Sequence, residues 1–312
     1  MFDRRQNNID VFMDTEKICK TNLKLIDAIN KSNSEQVMIQ EKDPVEVHAH
    51  RYESPVEVIV SKKRSLEAAR AYIGQKVCVH NFASATNPGG GVTKGSNAQE
   101  EAICRCSSLY FNIATKNLYD EFYNRHRQLL RSGEMTALYN DDCIYTSGVW
   151  VMKSDTSVPE LLPETEWYQV DMITCAAPNL RERPSNSMNP GSGNIAIKIS
   201  IKNLIELHVK RMSRICDIAI DNKDEVLILG AFGCGAFSNS PFAVAEAMAR
   251  VIEKYKFDFK VIEFAVYCSP NDTKNYDVFL KHLGEIESDG RLTEPSDGKR
   301  YRLRDAIALS KD

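Results

Sequence analysis

Three consecutive glycines, Gly89-Gly90-Gly91, stand between an apolar strand-like run and a helix-like one, and this placement limits the folds open to the chain. Residues 56–60 read as a strand, 66–72 as a helix and 76–82 as a second strand that runs into the glycines. Strand, helix and strand in succession predict a parallel pair joined by a crossover helix, hence an α/β sheet. A second loop, Gly230-Ala231-Phe232-Gly233-Cys234-Gly235-Ala236-Phe237, follows the apolar run 226–229 and precedes a helix predicted over 242–255. In open α/β sheets the ligand crevice lies outside the carboxyl ends of the strands. Two glycine loops at such ends therefore predict one pocket built from both.

Glycine takes positive φ readily and lets backbone N–H groups approach a ligand. A phosphate suits these loops, because the N-terminus of the following helix adds positive potential. Neither loop has the Lys-Ser/Thr ending of a P-loop or the full spacing of a dinucleotide fingerprint. Facing each other, they fit a pyrophosphate. Residues 92–98 separate Gly91 from Gln99-Glu100-Glu101 at the start of a helix. The helix dipole alone favours acids there. A carboxylate over a phosphate-binding loop, however, costs electrostatic energy that chemistry must justify. Adjacent helical residues point about 100° apart. The pair therefore predicts one acid/base carboxyl with an orienting neighbour, not two carboxylates flanking a bond.

Elsewhere the pattern is coarser. Apolar spacing predicts a helix over 9–29, broken near Asp14–Thr15, and strands at 37–39 and 45–47. Further helices are predicted over 98–116, 120–131, 196–220 and 276–283, and strands at 143–145, 149–152, 172–176 and 261–267. The stretch 183–193 is rich in Pro, Ser, Asn and Gly and reads as a loop. The expected organisation is an N-terminal helical extension (1–50) packed on the core, a catalytic α/β domain (51–284) and a polar, partly disordered tail (285–312).

Composition narrows the class. Of 312 residues, 43% are apolar and 27% charged, which excludes collagen and a wholly disordered chain. A net charge of −3 provides no global basic field, so no direct nucleic-acid readout is expected. The nine cysteines contain no Cys-x-x-Cys pair and several sit in apolar runs, which reads as free thiols in a reducing compartment. Residues 1–8 lack an apolar segment and no run of about 18 apolar residues occurs. A cytoplasmic protein without a membrane span is expected.

The run from Asn81 to Gly91, followed after the gap by Gln99-Glu100-Glu101, resembles the signature of poly(ADP-ribose) glycohydrolases, in the bacterial-type branch with Asn87-Pro88 before the glycines. Gly233-Cys234-Gly235-Ala236-Phe237 resembles that family's second diphosphate loop, and the likeness spans roughly residues 5–283. The resemblance implies a macrodomain-like three-layer α/β/α fold with a mixed, mostly parallel central sheet. It implies exo-type, metal-independent hydrolysis of ribose–ribose O-glycosidic bonds, releasing ADP-ribose, by a monomer without cofactors. Carried over residue by residue, it makes Glu101 the general acid/base and Glu100 the residue that positions the ribose, with Gln99 in support. Gly89, Gly90, Gly91 and Val92, together with Gly233, Cys234, Gly235 and Ala236, would hold the diphosphate. Phe237 would pack on the distal ribose, and Asn87 would contact a ribose hydroxyl. The expected partner is poly(ADP-ribose) or an ADP-ribosylated macromolecule. A mono-ADP-ribosyl hydrolase and a non-catalytic ADP-ribose-binding module are the alternatives. The intact glutamate pair argues against the second of these.

Other residues take plainer readings. Cys234 lacks a predicted histidine partner and reads as a small loop residue, not a nucleophile. Glu46, His48 and His50 alternate as a solvated strand face would, with no cysteine nearby to complete a metal site. Lys62-Lys63-Arg64 reads as a surface patch at a helix start, and Trp167-Tyr168 as packing. The sequence leaves open what stacks on the adenine.

Overall fold

The computed structural model describes residues 3–46, 50–269, 271–286, 291–293 and 300–302. The N-terminal segment forms α1 (Arg4–Thr21) and α2 (Leu23–Glu35). The break falls at Asn22, not at Asp14–Thr15. Asn22 donates its backbone N–H to the Ile18 carbonyl and accepts from the Leu25 N–H with its side chain, so it ends one helix and caps the next. Thr15 stays helical because its hydroxyl bonds the Val11 carbonyl one turn back and the Arg105 carbonyl across the interface.

A seven-stranded sheet follows: β1 (Val37–Ile39), β2 (Glu57–Ser61), β3 (Val77–Phe82), β4 (Cys143–Val151), β5 (Tyr168–Cys175), β6 (Val226–Leu229) and β7 (Val261–Ala265). Its order is β1-β4-β5-β3-β6-β7-β2. The five strands from β5 to β2 run parallel, and β4 and β1 are antiparallel additions at one edge. The two strands expected at 143–152 are one strand with a register shift between Thr146 and Val149. No strand forms at Val45 or Glu46, and Val47 lies outside the described residues.

Alternation sorts the side chains of the central strands to two faces. On β6, Leu227 and Leu229 meet α8 (Ile201–Asp221) and α9 (Pro241–Lys254), while Val226 and Ile228 face the opposite layer. That layer holds α3 (Ser65–Ala69), α4 (Gln99–Cys106) and α5 (Leu109–Ile113). The helix expected over 98–116 divides because Ser107 is extended and bridges Val151. Beyond it lie α6 (Lys116–Leu118), a π-helical turn at Tyr119–Asn124 and α7 (Arg125–Ser132). The last helix of the α8 side is α10 (Lys274–Leu283). Helices on both faces of a mixed, mostly parallel sheet give the expected three-layer α/β/α architecture.

Helix α1 lies against α4. Phe12 enters the core beside Ile103, Cys104 and Leu109, and Asn8 donates to the Gly95 carbonyl at 3.1 Å. The nine cysteines are unpaired; seven are buried, and Cys234 and Cys268 are half-buried. Of the expected tail, only Glu285–Ile286, Arg291–Thr293 and Arg300–Arg302 are described, and they pair as a small antiparallel sheet. The rest of it lies outside the described residues.

Candidate active site

The carboxyl ends of the parallel strands open into a cavity of about 610 Å³. Phe82, Ala177, Ala231 and Ala265, at or just past the ends of β3, β5, β6 and β7, contribute to its walls. The first turn of α4 forms another part of the lining, with Gln99, Glu100 and Glu101.

Helix α4 begins at Ala98, which has no side-chain oxygen to cap it. Glu101 closes that end itself: Oε2 accepts from the Ala98 N–H at 3.1 Å, and Oε1 accepts from the Gly91 N–H at 2.9 Å. One carboxylate thereby ties the glycine loop to the helix. Glu100 reaches the end of β3, where Oε2 accepts from the Ser84 N–H at 2.7 Å and Oε1 from Asn81 Nδ2 at 3.3 Å. Gln99 faces neither glutamate. Its Oε1 accepts from the Phe82 N–H, and its Nε2 donates to the His80 carbonyl and to Ser65 Oγ. It is a strut that fixes α4 on β3.

Both glutamates are almost fully buried. Burial holds the Glu100 carboxyl well above its ordinary range, and the neighbouring charge of Glu101 pushes the same way; the Ser84 N–H and the Asn81 amide oppose. Glu101 is also raised by burial, against the pull of the Gly91 and Ala98 N–H groups and the Arg105 charge. Burial thus biases both carboxyls toward their protonated form, the form from which a general acid donates.

The glycines have distinct tasks. Gly90 has φ +57°, and a Cβ there would stand 2.5 Å from Glu101 Oε1 and 3.2 Å from Glu100 Oε2. Its bareness admits the carboxylates. Gly89, at φ +66°, leaves room for the Tyr110 ring. The amides of Gly90, Gly91 and Val92 are taken by the Asn87 carbonyl, Glu101 and the Gly89 carbonyl. In the second loop the N–H groups of Gly235, Ala236 and Phe237 find no partner among the described residues, and a Cβ on Gly235 would meet nothing within 4 Å. The open amide cradle belongs to the second loop, not to the triple glycine.

Of the residues singled out in the sequence, Gly90, Gly91, Gln99, Glu100, Glu101, Gly233, Gly235, Ala236 and Phe237 line the cavity together. Asn87, Gly89, Val92 and Cys234 are not among its lining residues. The Asn87 amide is spent on the loop: Nδ2 donates to Thr86 Oγ1, Asn189 Oδ1 and the Pro190 carbonyl, while Oδ1 accepts from Arg127. Burial pushes the Cys234 thiol up to about 12, so it stays protonated. Trp167 donates to the Leu162 carbonyl and Tyr168 to the Leu66 carbonyl, which fits packing. Of Glu46, His48 and His50, the middle residue lies outside the described residues.

Residues 7–154 match the model of the microbial-type PARG catalytic domain. Over that stretch, just under half of the chain, the sequence is similar to the microbial-type PARG family. Solved structures agree. A poly(ADP-ribose) glycohydrolase from Thermomonospora curvata is 25% identical over 89% of this chain and 100% of its own, with a TM-score of 0.73. The same organism's enzyme bound to the inhibitor ADP-HPD is 24% identical over the same shares, with a TM-score of 0.71. The enzyme from Deinococcus radiodurans in complex with ADP-ribose is 25% identical over 81% of this chain and 96% of its own, with a TM-score of 0.65. No curated protein matches the sequence.

Three features of the site escaped the sequence reading. Asn239 is buried under the second loop, donates to the carbonyls of Pro178, Gly233 and Phe237, and accepts from His208. Arg64, expected on the surface, lines the cavity with its guanidinium 3.8 Å from the Tyr267 ring centroid. Arg181, in the segment after β5, also lines the cavity. Their only sequence signal is nearness to a strand end, which many polar residues share. No helix among the described residues is long and apolar enough to cross a membrane.

Proposed function

We propose that this protein is a poly(ADP-ribose) glycohydrolase acting from chain ends, with Glu101 as general acid/base and Glu100 orienting the reacting ribose. One observation carries the reading. Two buried carboxyls with raised pKa share a cavity with a loop of unpartnered amides. A carboxyl supplies the proton; the amides hold an anion that carries none.

The ligand runs across the strand ends. The diphosphate rests on the N–H groups of 235–237, while the Arg64–Tyr267 stack by β2 and β7 offers a flat surface for the purine. Asp155 stands at the same end, buried, with Oδ1 lacking a partner among the described residues and Oδ2 accepting from the Leu66 N–H. Phe237 packs on the distal ribose. As the bond from the ribose anomeric carbon to the leaving oxygen breaks, that oxygen keeps the electron pair and takes the Glu101 proton. Ionised Glu101 then accepts a proton from water as the water oxygen joins the anomeric carbon. The Gly91 and Ala98 N–H groups hold the carboxyl in place through both steps. General acid–base help of this kind contributes about 10²–10⁴-fold, and positioning by the cradle adds to it.

Incubating automodified poly(ADP-ribose) polymerase with the wild type and with Glu101→Gln tests the assignment. The wild type releases free ADP-ribose; the variant binds ADP-ribose with unchanged affinity but loses release by about 10²-fold or more. Equal release by both proteins removes Glu101 from the mechanism. Tight binding with no release by the wild type makes the chain a binding module.

A further inference from the structure

We propose that Arg181 and the loop 185–193 form a subsite on the leaving side of the scissile bond, occupied by the diphosphate of the ADP-ribose unit next to the one released. The inference rests on the polymer-hydrolase reading above.

The first support is topological. The cleft spans the carboxyl ends of five parallel strands in the order β5-β3-β6-β7-β2. Arg64 and Tyr267 follow β2 and β7, while Arg181 follows β5 at the other end. Four strand spacings, roughly 19 Å, separate the two ends. Glu100 and Glu101 on α4 and the amide loop after β6 serve the strands between. A terminal unit with its base toward β2 and its distal ribose at Phe237 therefore directs its anomeric bond toward the β5 end. The leaving group emerges there.

The second support is the state of Arg181. Its backbone is anchored, since its N–H meets Asn179 Oδ1 at 3.4 Å and the preceding Leu180 N–H donates to the Phe237 carbonyl at 2.9 Å. Its guanidinium has no hydrogen-bond or ion-pair partner among the described residues. Neighbouring arginines differ. Arg211 is spent on Asp141 and the Ala176 carbonyl, and Arg127 on the Thr86 carbonyl and Asn87. A half-buried, unpaired guanidinium in a cavity wall is a fork for a phosphate.

The third support is that the adjoining wall is built. Ser185 donates its N–H to the Gly193 carbonyl, and Asn186 Oδ1 accepts the N–H groups of Met188 and Asn189. Ser84 Oγ and Asn87 Nδ2 donate to Asn189 Oδ1, and Lys94 Nζ to the Ser187 carbonyl, which bolts the loop onto the glycine loop. Asn186, Met188 and Asn189 line the cavity beside Arg181. In a ribose–ribose linked polymer the leaving alcohol belongs to an adenosine that carries its own diphosphate a few bonds away. A modified protein side chain brings no such group. Arg181 thereby favours polymer over singly modified protein.

The test compares wild type, Arg181→Ala and Arg181→Lys on poly(ADP-ribose) and on an ADP-ribosyl substrate whose leaving group has no phosphate. Arg181→Ala is expected to lose about tenfold in kcat/KM on polymer, with the phosphate-free substrate, the ADP-ribose Kd and the unfolding midpoint unchanged. Arg181→Lys retains part of the polymer rate, and the salt dependence of that rate shrinks in Arg181→Ala. Equal losses on both substrates, a weakened ADP-ribose Kd, or an undiminished polymer rate overturns the subsite. A wild type inactive on polymer overturns instead the function on which the subsite rests.

Discussion

At the residue scale, Gly90 shows how a position can serve chemistry without touching substrate through a side chain. From the sequence it reads as a point of close approach between backbone and ligand. In the fold, the space a Cβ would take is already held by the Glu101 and Glu100 carboxylates. Gly90→Ala therefore combines left-handed backbone strain of about 1–2 kcal/mol with displacement of the acid. We expect a lowered unfolding midpoint and a fall in kcat of about tenfold or more, since small misplacements of a catalytic group cost this much. Full kcat in a folded Gly90→Ala protein would show that the carboxylates tolerate the crowding. The glutamates were legible in the sequence because two acids at a helix start beside a glycine loop need a reason. The division of labour between the loops was not. Which amide stays free depends on the Glu101 carboxylate filling the Gly91 N–H, a contact fixed only once α4 has docked.

At the element scale, the second loop is held from below. Asn239 threads three carbonyls with one amide and is itself oriented by His208 of α8, whose neutral form burial favours, its pKa falling to about 4. Gly233, at φ +76°, leaves the space that the Asn239 amide occupies. Asn239→Ala strands those carbonyls and the histidine, a loss of about 1–3 kcal/mol, and lets the cradle sag. Calorimetric titration should show a weaker ADP-ribose Kd, by about tenfold. Asn239→Asp, which accepts from His208 but donates nothing, should behave like the alanine variant. Near-wild-type affinity in Asn239→Asp would mean that the His208 bond alone holds the loop. The strand–helix alternation and both loops were visible in the sequence, because apolar periodicity and glycine runs are local signals. Asn239 was not, since its meaning comes from Pro178, 61 residues away in sequence. The helix break was misplaced for a similar reason. Thr15 is kept helical by a carbonyl of α4, whereas Asn22 caps within its own segment.

At the scale of the whole molecule, the sheet has chemistry at one end and a charged knot at the other. Beneath the amino ends of β3 and β6, the Tyr145 hydroxyl donates to Asp171 at 2.6 Å, and Lys76 Nζ lies 3.3 Å from Asp171 and 3.9 Å from Asp224. Asp224 is fully buried; burial first, then the Asp171 charge, holds its carboxyl well above the ordinary 3.8, against the pull of Lys76. A carboxyl raised in the folded state favours folding below its unfolded pKa and loses that contribution as pH climbs through the folded value. The slope approaches about 1.4 kcal/mol per pH unit while one proton separates the two states. Glu100 and Glu101 act in the same direction, so wild-type stability alone cannot assign the effect. Asp224→Asn isolates it, because the glutamates are common to both proteins and an amide does not titrate. Denaturant unfolding from about pH 5 to pH 8 should show the variant gaining on the wild type as pH rises. ADP-ribose release should stay unchanged, because the knot lies at the opposite ends of the strands from the cavity. A stability difference that stays flat with pH would place Asp224 back at its ordinary pKa and give Lys76 the dominant hold on it.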